Sequence, residues 1–172
     1  MNRILLLMIC LLLSSCGFHF RDSPTTVSPE LKSIYIQDEA DARTGLYFSL
    51  RQNLQALGIT LVDKPTKAPV SLVILDDGFG QSITAMGTAQ QINSQILTYT
   101  VTLVLRDANG KNITQPVTLN TASHAWQNSN QILGDTTALP DLRKKLTTDM
   151  TQKILAYLSA TDTQKAIHAT HI

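Results

Sequence analysis

Apolar residues change their spacing several times along this chain, and each change marks an element. Ile34 and Ile36 alternate with Ser33, Tyr35 and Gln37, the period of a short strand with one buried face. From Leu46 the period becomes helical. Leu46, Tyr47, Leu50, Leu54 and Leu57 share a stripe, Asp38 and Asp41 precede it as capping oxygens, and Gly58 follows where a left-handed stop belongs. A helix is predicted over 42–57. Burying its four leucines at roughly 1.5–3 kcal/mol each would hold it on a sheet, although it is too short to stand alone. Residues 59–62 form a short extended run, followed by a loop punctuated by Pro65 and Pro69.

Residues 70–75 are almost continuously apolar, as in a strand flanked by neighbours. Asp76, Asp77, Gly78, Phe79 and Gly80 then read as a bulge or turn, with a strand resuming near Ser82. The clearest strand places Leu97, Tyr99, Val101, Leu103 and Leu105 in alternation with Thr98, Thr100 and Thr102. Asn109 and Gly110 suit a tight hairpin turn, and a partner strand is expected over 113–126, with Pro116 marking an edge or a bulge. Finally Leu139, Leu142, Leu146, Met150, Ile154 and Leu158 recur every three or four residues. They predict a long amphipathic helix begun by Asp135, Thr136 or Thr137, with Pro140 tolerated in its first turn. From Ser159 the stripe is lost, and 159–172 reads as a mobile C-terminal tail. The expected fold is α+β: a two-layer sandwich over 32–158, with two helices packed on one face of a small, mainly antiparallel (mixed) four-stranded sheet.

Ahead of this domain lies a different signal. Arg3 precedes ten uninterrupted apolar residues, Ile4 to Leu13. A hydrocarbon core needs about 20 helical residues, so this run fits the core of an export signal rather than a membrane span. It ends in Leu13, Ser14, Ser15 and Cys16, which resembles the lipobox of bacterial lipoproteins. Small residues at 14 and 15 fit an extended chain into a peptidase, and only a thiol at 16 can form the thioether to diacylglycerol. Residues 1–15 are therefore expected to be a lipoprotein signal peptide and Cys16 the acylated first residue of the mature chain. Residues 16–31, with Pro24 and Pro29, form a tether. Gly17 stands where Asp would signal inner-membrane retention in enteric-type bacteria, so the expected address is the periplasmic face of the outer membrane.

The chain has 14 Lys and Arg against 13 Asp and Glu. Loss of the leader removes Arg3 and leaves 13 of each sign, which gives no field to hold a nucleic acid. No nucleophile elbow, Walker loop or HExxH motif is present, and His168 and His171 lack a third ligand. The expectation is no enzyme, no metal and no cofactor beyond the lipid on Cys16. Cationic groups that could meet an anionic ligand are Arg106 and Lys111, flanking the hairpin turn, and the run Arg143, Lys144 and Lys145.

Cys16, Gly17, Phe18, His19, Phe20 and Arg21, taken together, resemble the start of the mature LptE lipoproteins of lipopolysaccharide assembly. The likeness continues through the early strand, the helix ending LQALGITLVD over 54–63, the Thr-rich strand after Gly87 and the last amphipathic helix. It implies a non-enzymatic protein that plugs and helps assemble the LptD outer-membrane β-barrel and engages lipopolysaccharide. The family's basic positions fall near the turn before Gly87 and the loop entering the last helix. Here those neighbourhoods read Thr84, Ala85, Met86 and Leu133, Gly134, Asp135, without Lys or Arg, which leaves glycolipid contact to Arg106, Lys111 or the 143–145 run. The alternatives are a periplasmic regulator lipoprotein activating a peptidoglycan synthase, which the short tether disfavours, and a carrier of a soluble ligand.

Overall fold

A computed structural model describes residues 31–39, 45–86, 92–126 and 138–170. The leader, Cys16, most of the tether, the Asp41 cap, residues 133–135 and the expected start of the last helix lie outside them. The first strand, β1 (Ser33–Asp38), buries Ile34 and Ile36 as their alternation requires. It leads to helix α1 (Gly45–Ala56), whose stripe buries Leu46, Leu50 and Leu54. Gly58 closes that helix with φ +78°: its amide donates to the Gln55 carbonyl, and the Ile59 amide donates to Leu54, both at 3.0 Å. This paired bonding satisfies carbonyls that the helix end would otherwise leave open.

The sheet has five strands, one more than expected. Its order is β2-β1-β3-β4-β5, with β2 (Thr60–Leu61), β3 (Val70–Met86), β4 (Ile92–Arg106) and β5 (Val117–Trp126). The extra strand is the short extended run after α1, which pairs parallel to β1 through Ser33↔Thr60 and Ile34↔Leu61. Two residues are too few to display an alternation, which is why the pattern alone left it unpaired. β1 and β3 are parallel, whereas β3–β4 and β4–β5 are antiparallel, so the sheet is mixed.

β3 also differs from expectation, because it runs unbroken through the segment 76–80, read from the sequence as a bulge or turn. Ile74 pairs with Leu103 but Asp76 with Thr102, which isolates Leu75 as the extra residue of a bulge. Gly78 and Gly80 lie past that bulge and pair regularly with Thr100 and Thr98. A single inserted residue inverts the parity of everything after it. Before the bulge Val70, Leu72 and Ile74 face the helices. Beyond it, Asp77, Phe79 and Gln81 stand opposite the inward residues Val101, Tyr99 and Leu97, which turns both glycines to the helix-free face.

Arg106 begins an irregular connection. The Asp107 carboxylate accepts the amides of Asn109 at 2.9 Å and Lys111 at 2.8 Å, and Gly110 takes φ +80°. Pro116 sits just before β5, where no ladder donor is needed, and β5 is an edge strand. Lys153 donates to the Asn120 carbonyl of that strand at 2.6 Å and places a charge against one open edge group.

Helix α2 (Ala138–Ser159) carries Leu146, Met150, Ile154 and Leu158 into one apolar cluster with α1 and the inner face of the sheet. Pro140 falls in its first turn, where its missing amide costs nothing. Across the helix pair, Thr151 Oγ1 donates to Ser49 Oγ at 2.9 Å. The segment expected to be a mobile tail instead carries a third helix, α3 (Thr161–Thr170), with Thr163 and Ile167 buried. Ile167 joins the common core, and Gln164 Nε2 donates to the Leu158 carbonyl at the end of α2. The α+β, two-layer arrangement stands, with three α-helices and five strands among the described residues in place of two and four.

Candidate functional site

The structure separates the cationic residues singled out from the sequence into two groups. Arg106 ends β4 on the helix-free face. Its Nη1 donates to Glu39 Oε1 at 2.7 Å and its Nε to Asn112 Oδ1 at 3.2 Å. It pairs with Ser71, whereas Glu39 follows the β1 residue that pairs with Ile74, so the side chain reaches diagonally over the strand that carries Val73. Arg106 therefore already serves the fold, tying β4 to the end of β1. The pair is partly exposed, so Arg106→Ala is expected to cost about 1 kcal/mol or less in urea unfolding. Lys111 stands nearby, exposed in the Asp107-capped turn.

Arg143 belongs to the other group. From the first turns of α2 its guanidinium carbon lies 5.5 Å from the centroid of the Phe79 ring. Phe79 in turn stacks on Tyr99 with centroids 4.1 Å apart and planes 10° from parallel. Tyr99 is buried and its hydroxyl donates to Asp77 at 2.8 Å, which fixes the lower ring and so the platform under Arg143. Phe79 remains 40% exposed and Ile83, two positions along the same face, 47%. Gln81, between them, donates from Nε2 to Gln95 Oε1. Lys144 and Lys145 follow Arg143 and are exposed.

The outcome is a ledge of exposed apolar side chain with the Arg143 guanidinium against it, followed along α2 by the exposed Lys144 and Lys145. No single-residue motif could have revealed it, because Phe79 and Arg143 are 64 positions apart and meet only when α2 crosses the long hairpin. Arg106 cannot join this ledge. It lies seven residues along β4 from Tyr99, about 24 Å at ~3.4 Å per residue, and on the opposite face.

That opposite face is different again. Beyond the bulge, Asp76, Gly78 and Gly80 on β3 lie beside Thr102, Thr100 and Thr98 on β4, with Thr118, Asn120 and Ala122 completing the rows on β5. Thr102 and Thr118 share a hydroxyl hydrogen bond of 3.0 Å. Asp76 is the sole Asp, Glu, Lys or Arg in these rows. The Asp63 carboxyl, held below its ordinary pKa chiefly by the hydrogen bond from Lys67 at 3.1 Å, lies in the loop after β2 and in neither group. Among the described residues no group of three or more His, Cys, Asp or Glu is placed to hold a metal ion, and no helix is long and apolar enough to cross a membrane.

Comparison with known proteins bears on the whole domain. Among solved structures the fold is similar to a minor lipoprotein from Acinetobacter baumannii, at 22% identity over 77% of this chain and 93% of that one, with a TM-score of 0.64. The rare lipoprotein B from Shewanella oneidensis matches at 15% identity over 77% of this chain and 97% of its own, with a TM-score of 0.65. An uncharacterized lipoprotein B from Nitrosomonas europaea matches at 19% identity over 77% and 85%, with a TM-score of 0.62. At such identities the likeness is one of fold. No curated protein matches the chain by sequence. A family described as LptE, lipopolysaccharide-assembly, matches residues 31–158, the span from the residues before β1 to the last turn of α2. This chain belongs to the LptE family of lipopolysaccharide-assembly proteins.

Proposed function

We propose that the chain is an outer-membrane lipoprotein, anchored through lipid on Cys16, that sits within the LptD β-barrel as a plug and assembly aid while lipopolysaccharide is inserted into the outer leaflet. The family match over 31–158 carries this reading. Two physical features support it. A barrel lumen is polar, and a face of Thr, Asn, Gly and Ala, whose one charged side chain in these rows is Asp76 at the end beside the bulge, meets such a wall with little charge to bury. The ledge of Phe79 and Ile83, with Arg143 against it and Lys144 and Lys145 next along α2, joins apolar surface to positive charge, the pairing that an amphiphile with phosphates and acyl chains requires. The protein makes and breaks no bond in this role; it binds, orients and fills.

Affinity capture from detergent-solubilised outer membranes tests the barrel reading. Tagged protein is expected to recover a large β-barrel protein in near-equal amount, and recovery of none overturns the reading. The lipid reading has its own test. Three exposed cations at ~0.5 kcal/mol each amount to about 1.5 kcal/mol, so the Arg143→Ala, Lys144→Ala, Lys145→Ala triple variant should weaken lipopolysaccharide binding roughly tenfold. Arg106→Ala is expected to leave that affinity unchanged, because its guanidinium is engaged on the other face. An equal loss from both variants would reject the ledge as the lipid contact.

A further inference from the structure

Gly78 and Gly80 have no role inside the chain that accounts for them. Neither adopts the left-handed φ that favours glycine, as Gly58 and Gly110 do. Neither forms the bulge, which lies at Leu75, and both are paired in regular register with Thr100 and Thr98. A Cβ built at either position meets nothing within 4 Å, so no neighbouring atom forbids a side chain. Glycine in a strand interior is nevertheless unfavourable, by roughly 0.5–1 kcal/mol relative to alanine. What remains is the space outside the sheet, where glycine permits close approach of another backbone.

We propose that this strip, the helix-free face of β3, β4 and β5 beyond the bulge, is the surface that packs against the inner strand wall of the barrel. The proposal rests on the barrel reading above and assigns it a face. The glycine column forms a shallow trough beside the threonine ridge at 98, 100 and 102, so a strand of a facing sheet can lie closer there than the usual ~10 Å between packed sheets. Charge complementarity selects this occupant. A polyanion would need cations, and these rows carry none and hold the Asp76 carboxylate; an acyl chain would need a continuous apolar surface, where Ile96 and Ala122 stand among hydroxyls and amides. A polar strand wall offers those groups hydrogen-bond partners.

The test fills the trough. Gly78→Val with Gly80→Val adds side chains that favour strands and meet open space, so the melting temperature should stay level or rise. Barrel capture should nonetheless fall about tenfold or more, as overpacking of a close contact does. In parallel, a photoreactive phenylalanine analogue at Thr100 or Asn120 should cross-link to the barrel, whereas the same probe at Gln52, exposed on α1, should give little. Undiminished capture by the double valine variant overturns the proposal, as do cross-links from Gln52 in place of Thr100, or adducts only to a second copy of the chain or to glycolipid. If the unmodified protein captures no barrel at all, the plug reading fails first and takes this assignment with it.

Discussion

Cys16→Ser is expected to release the protein from the outer membrane into the soluble periplasmic fraction while leaving the α+β domain folded. The anchor and the domain are separable because the lipid would sit well before Ser33, where the sheet begins. A thioether-linked diacylglycerol plus an amide-linked chain contributes ~0.8 kcal/mol for every buried methylene, and several such chains make release negligible on cellular timescales, whereas a bare hydroxyl leaves nothing. Mass spectrometry of the natural protein should find the acylated cysteine at the new N-terminus. Circular dichroism of the variant should match the lipid-free domain, and barrel capture should drop because the protein no longer concentrates at one bilayer. Retention of the serine variant in the outer membrane, or a free thiol in the natural protein, would refute acylation without touching the fold.

Different parts of the fold were legible to different degrees, and the reasons are physical. α1 and β4 could be read because burial on one side only imposes a period on the sequence: Leu46, Leu50 and Leu54 in the helix, and Leu97 to Leu105 in the strand, are buried as their spacing requires. β2 has two residues and therefore no period; only its parallel pairing with β1 makes it a strand. The bulge in β3 was expected but misplaced. Adjacent Asp76 and Asp77 beside two glycines look like a turn, whereas the irregularity lies at Leu75, whose apolar side chain gives no such signal. That one-residue error hides which face the glycines occupy, and with it the contrast between a cationic ledge on one side of the sheet and, on the other, a strip whose rows hold no cation and the single carboxylate of Asp76. The cations themselves could be named from the sequence, but not sorted. Arg106 meets Glu39 across 67 positions and Arg143 meets Phe79 across 64, and such contacts are set by topology, to which local spacing is blind.

Ile167→Ala is expected to destabilise the protein substantially, although the residue lies in a segment whose sequence shows no stripe. Thr163 and Ile167, one turn apart, are all that α3 buries, and a two-residue stripe does not stand out against polar neighbours. The local signals are those of helix ends: the acidic Asp162 in the first turn and the basic His168 in the last. Ile167 is fully buried in the same cluster as Leu155 and Leu158. Its truncation should therefore cost about 2–5 kcal/mol, the range for deleting a large aliphatic side chain from a close-packed core. At about 2–4 °C per kcal/mol for a chain of this size, the melting temperature should fall by roughly 5 °C or more. Lys165→Ala, on the exposed side of the same helix, should remain within about 0.5 kcal/mol of the parent. Equal melting temperatures for Ile167→Ala and the parent would mean that α3 does not dock on the core. The expected difference makes the helix beyond the family match at residue 158 part of the folding unit, a clamp over the end of α2 where Gln164 holds the Leu158 carbonyl.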